Sequence, residues 1–162
     1  MSERDEDRLA DLVTLDGALV VGVGQPLRGD DAVGPLVAER LAARFPSRVI
    51  DAGPVPESFL GPLAAEPGRP VVFIDAALTG EAPGAWVLAG PDSLARSVPD
   101  THRASLRLLA ELLSQLGVPT WVLGIAPMTL VTGAPLSPPV ARTADDLVAI
   151  LTAALAEAPV HA

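Results

Sequence analysis

Ala18-Leu19-Val20-Val21-Gly22-Val23-Gly24-Gln25-Pro26-Leu27-Arg28-Gly29-Asp30-Asp31-Ala32-Val33-Gly34 runs from a short β-branched segment, through a glycine-rich turn bearing two adjacent carboxylates, into the start of a helix. The helix, expected over 33–45, sets Val33, Leu36, Val37, Leu41 and Phe45 on one apolar stripe and stops before Pro46. A strand that feeds a helix through a tight turn is half of a βαβ unit, and the same alternation recurs down the chain. Strands are expected over 18–24, 48–51, 70–75, 85–89 and 120–125, each rich in Val, Ile, Leu, Phe or Trp and ending near Gly, Asp or Pro. A shorter helix over 56–65 would turn Phe59, Leu60 and Leu63 inward, with Pro62 inside it. The helix over 103–116 has Leu106, Leu109, Leu112, Leu113 and Leu116 at helical spacing, Asp100 or Thr101 as N-cap, His102 at its first turn and Gly117 to end it. The last helix begins with Ser137 as N-cap and Pro138 at the first helical position, and carries Val140, Ala144, Leu147, Leu151 and Leu155 inward. The pattern predicts a single three-layer α/β/α domain around a mostly parallel five-stranded sheet, over residues 17–158, with a tail at 159–162.

Composition narrows the chemistry. At 162 residues and 49% hydrophobic, the chain is long enough for one well-filled core. Its net charge of −9 disfavours nucleic acid and anionic membrane surfaces as partners. All 11 basic residues are Arg, which excludes Schiff-base chemistry and a P-loop lysine. With no Cys there is no thiolate nucleophile, disulfide or Cys-bound metal. Residues 1–16 hold six acids and two Arg, and they read as a mobile acidic extension, although Leu9, Leu12 and Val13 are spaced for a short docked helix. The absence of an apolar run of about 18 residues or a secretory pattern sets a soluble cytoplasmic protein as the expectation, and a monomer is the expected state.

Ligands of open parallel sheets bind beyond the carboxyl ends of the strands. The polar residues expected there are Asp30 and Asp31 after the first strand, Asp51 after the second, Asp75 after the third and His102 after the fourth. Asp31, Asp75 and His102 form a mixed oxygen and nitrogen set suited to nickel or zinc rather than calcium. Each also has a plainer role: one of Asp30 and Asp31 capping the following helix, Asp75 accepting N–H bonds from a turn, and His102 solvated at a helix start. Asp51 is assigned to loop hydrogen bonding and Arg28 to pairing with an aspartate. A dinucleotide fingerprint fails at its third glycine, which is Leu27, and two carboxylates would face the pyrophosphate.

The stretch Gly22 to Gly34 resembles the opening motif of the hydrogenase maturation proteases. Phe73-Ile74-Asp75-Ala76 resembles their second acidic motif and Thr101-His102-Arg103-Ala104-Ser105-Leu106 their histidine motif. Leu123-Gly124-Ile125-Ala126-Pro127 and Leu136-Ser137-Pro138-Pro139-Val140 are similar to their closing segments. Gln25 stands where Asn is usual, Ala32 where Gly is common and Ala126 where a polar residue is frequent. The resemblance implies an aspartic-type endopeptidase that removes the C-terminal extension of a nickel-iron hydrogenase large-subunit precursor after nickel insertion. It implies Asp31, Asp75 and His102 as metal contacts and Asp31 or Asp75 as the catalytic carboxylate. The nickel would arrive with the substrate. A non-catalytic metal-binding or chaperone protein on the same scaffold is the competing expectation.

Overall fold

Val, Ile, Leu and aromatic residues build five strands, Leu19–Val23 (β1), Val49–Gly53 (β2), Val71–Ala76 (β3), Trp86–Ala89 (β4) and Thr120–Ile125 (β5). A computed structural model describes residues 3–94 and 104–158. The sheet order is β2-β1-β3-β5-β4, parallel throughout except for β4, which pairs antiparallel with β5 at one edge. Every residue of β1 and β3 is buried, as befits central strands covered on both faces. This is the mixed α/β architecture expected.

The helices are Glu3–Thr14 (α1), Val33–Ala42 (α2), Leu60–Ala64 (α3), Pro91–Leu94 (α4), Ala104–Gln115 (α5) and Pro138–Glu157 (α6). Single-turn 3-10 segments, Gly29–Ala32 and Pro56–Phe59, precede α2 and α3. Alternate strand residues feed two separate cores. Val20, Val72, Ile74, Leu123 and Ile125 pack beneath α1, α2 and α6, whereas Val21, Val23, Val71, Phe73 and Val122 pack against Leu63 of α3 and Leu106, Leu109 and Leu113 of α5. Leu112 and Leu116, which share the helical spacing, point to solvent instead. Gly117 ends α5 in the left-handed region (φ 79°), as expected of a glycine that follows a helix.

One expectation is overturned. Residues 3–14 form a docked helix rather than a mobile extension, because the Leu9, Leu12 and Val13 spacing outweighs the acidic composition. Thr14 Oγ1 donates to the Ala154 carbonyl of α6 (3.2 Å), and the Arg8 guanidinium lies 4.8 Å from the centre of a Trp121 ring. Buried Arg48 closes the end of α1, its Nη2 donating to the carbonyls of Val13 (2.9 Å) and Ala18 (3.2 Å). Burial, aided by the charge of Arg69, draws the Arg48 guanidinium below its ordinary pKa.

Candidate active site at the sheet's carboxyl edge

Strand order locates the site. From β1 the chain moves outward to β2, then returns across β1 to β3, so connections diverge between β1 and β3. Crevices of open α/β sheets form at such reversals. Glycines let α2 sit deep in this one. A Cβ on Gly22 would collide with the Gly34 carbonyl and Ala38, and a Cβ on Gly34 would collide with the Val23 and Ile74 backbones. Gly24 (φ 152°) turns the chain directly beside Asp31.

The two adjacent acids have different duties. Asp30 is fully buried, and its carboxylate accepts from Met128 N (2.8 Å), Thr129 N (3.0 Å), Ser137 N (2.7 Å) and Ser137 Oγ (2.8 Å). Four donors on one acceptor-only group fasten the β5–α6 loop to the β1–α2 turn. Asp31 is also buried, and its Oδ2 accepts from Gln25 N (2.9 Å), closing the turn that follows β1. Neither acid caps α2, whose N-cap residue Ala32 has no side-chain bond; the expected capping role is therefore replaced by these tertiary bonds. Ser137 occupies the N-cap position of α6 as expected but gives its hydroxyl to Asp30.

Asp75 is fully buried at the carboxyl end of β3, paired in register with Gly124 of β5. The Gly29–Ala32 segment packs directly against β3, so the structure brings Asp31 and Asp75 to the same edge of neighbouring strands. His102 lies outside the described residues, as do the expected N-caps Asp100 and Thr101. Among the described residues no three His, Asp or Glu side chains are grouped to hold a metal ion.

Asp51, expected to bond within a loop, lies inside β2 instead: exposed, its Oδ1 accepts from Gly53 N (3.2 Å) at the end of the same strand. Arg28 does not take the aspartate partner expected of it. Its Nε donates to the Leu130 carbonyl at 3.1 Å, another tie between the first loop and the loop after β5. The role of Asp30 was invisible in the sequence, because its partners lie about a hundred residues away with only a Pro/Gly/Ser-rich composition to mark their loop.

A family model of hydrogenase maturation proteases matches residues 35–154. The chain belongs to the hydrogenase maturation protease family. Its fold is similar to the nickel-iron hydrogenase maturation protease HycI of Thermococcus kodakarensis, with 28% identity and a TM-score of 0.79 over 92% of this chain and 99% of that one. The solution structure of the Escherichia coli endopeptidase HycI aligns with a TM-score of 0.70 and 26% identity, over 82% of this chain and 86% of that one. Hydrogenase 3 maturation protease of Escherichia coli K12 is 35% identical over 98 residues, 57% of this chain and 62% of that protein. The region matched by the family model contains Asp75 and His102 and begins just after Asp31. No helix among the described residues of this maturation protease is long and apolar enough to cross a membrane.

Proposed function

We propose that this protease cleaves the C-terminal extension from a nickel-iron hydrogenase large-subunit precursor that already carries nickel. The observation that supports this reading best is the convergence of buried Asp31 and Asp75 at the crevice between β1 and β3. In the proposed reaction the substrate's nickel docks on Asp31, Asp75 and His102, and so holds the scissile peptide in a fixed place. Orientation of that kind supplies much of a hydrolytic rate enhancement. Asp31 or Asp75 then takes a proton from water, whose oxygen attacks the scissile carbonyl; the C–N bond breaks and the departing amine receives the proton. On this reading the enzyme is of the aspartic type, holds no resident metal, acts as a monomer in the cytoplasm and has no nucleic-acid or membrane partner.

Intact-mass analysis of the precursor, incubated with the purified protease with and without nickel, tests the proposal. Loss of a C-terminal peptide from the nickel-loaded form alone is the expected result. Equal cleavage of both forms would refute nickel as the recognition signal, and binding without cleavage would favour the non-catalytic chaperone reading.

A further inference from the structure

Large apolar side chains left together in water mark surfaces that another molecule covers. Among the described residues, those of the exposed set at the carboxyl edge of the sheet are Leu27, Val55, Leu78, Met128 and Val131, each on a loop leaving a parallel strand. Three of them, Leu27 (73% exposed), Met128 (58%) and Val131 (65%), lie on the two loops that hydrogen bonds join. Gly133 N donates to the Leu27 carbonyl (2.8 Å), Asp30 N donates to the Thr129 carbonyl (2.8 Å), and Arg28 Nε and the Asp30 carboxylate add the ties described above. Backbone stitching of this kind fixes the two loops in advance, so a partner meets them without a loop-ordering cost.

Charge sharpens the reading. The chain carries −9 overall, yet residues 22–27 and 126–140 contain no charged side chain and no His. The charges beside these loops are part-buried Arg28, held by the Leu130 carbonyl, and buried Asp30 and Asp31, so the exposed patch is largely apolar on an acidic molecule and suits an apolar protein surface.

We propose that Leu27, Met128 and Val131 form a docking platform for an apolar surface of the hydrogenase precursor, an inference that rests on the processing reaction proposed above. Leu27 lies in the turn whose end is Asp31, and Asp31 itself holds Gln25 N in that turn. A folded substrate presenting its chain to Asp31 therefore covers the platform. A second copy seated there would close the edge that the substrate must reach.

The experiment uses the full chain with Leu27→Ser, Met128→Ser and Val131→Ser combined, and the nickel-loaded large-subunit precursor of the same organism's nickel-iron hydrogenase. KM and kcat are read from intact mass, and precursor binding is measured separately. The expected result is a rise in KM of about tenfold or more with kcat within about twofold of the parent. Leu108→Ser on the exposed face of α5, with Leu116→Ser just beyond its end, leaves both constants unchanged. Should the triple variant melt early, Leu27→Ser alone is read the same way. An unchanged KM in the triple variant, or an equal rise in the α5 variant, overturns the platform, as does a parent dimer in sedimentation that the triple variant dissolves. A parent protein that binds the precursor without cutting it refutes the processing reaction; loss of that binding in the triple variant still upholds the platform.

Discussion

Replacing Asp30 by Ala leaves four donors without their acceptor. Two of them, Ser137 N and Ser137 Oγ, are buried, and bonds from such groups to a charged acceptor contribute about 1.5–3 kcal/mol each. The other two, Met128 N and Thr129 N, are partly buried; water replaces the carboxylate there at a cost of about 0.5–1 kcal/mol each. With water partly refilling the space, a net loss of about 3–5 kcal/mol is expected, a large share of the roughly 5–15 kcal/mol that holds a domain folded. For a chain of this size that corresponds to a fall in Tm of roughly 8–15 °C. Asp30→Asn restores less than half of it, because the amide nitrogen turns a donor toward donors. Urea unfolding at constant slope measures the loss, and amide exchange at Met128, Thr129 and Ser137 locates it. A loss below about 1 kcal/mol, with unchanged protection at those three amides, would refute the anchoring role of Asp30.

Asp75→Asn is expected to lower processing by at least about a hundredfold while the urea midpoint changes little; processing at the parent rate would remove Asp75 from the site. Gly34→Ala drives a methyl group into the Val23 and Ile74 backbones, and should cost about 2–4 kcal/mol by urea unfolding. A near-neutral Gly34→Ala would mean that α2 can lift away from the sheet. Arg48→Ala removes the tie to Val13 of α1 and the tie to Ala18 just before β1, so trypsin should cut faster at Arg4 and Arg8; an unchanged cutting rate would show that Leu9, Leu12 and Val13 hold α1 without it.

What was legible in the sequence was whatever nearby residues decide. The five strands fall within one or two residues of their expected limits, since β-branched runs bounded by Gly, Asp and Pro need no distant information. The helix expected over 56–65 was only half right: Pro56–Phe59 winds as a 3-10 turn and only Leu60–Ala64 is α-helical. Composition misled at the N-terminus, where six acids outweighed in the reading the three apolar residues whose spacing docks the helix. Position along the chain correctly put Asp31 and Asp75 at one sheet edge, because the carboxyl ends of parallel strands share an edge whatever their order. The division of labour between Asp30 and Asp31, and the carbonyl partner of Arg28, were not legible. Each depends on the loop after β5, whose approach is set by tertiary packing.

The bonds from Asp30 to Ser137 span 107 residues, and the bond from Thr14 to Ala154 spans 140. Chains emerge from the ribosome N-terminus first, and contacts between distant residues wait for the later partner. The carboxylate-bearing turn is thus made early but acquires its fixed surroundings only after the loop following β5 and the helix α6 have been synthesised. The nascent chain carries its acids in an unassembled edge, and that edge is completed only when the later loop and helix arrive.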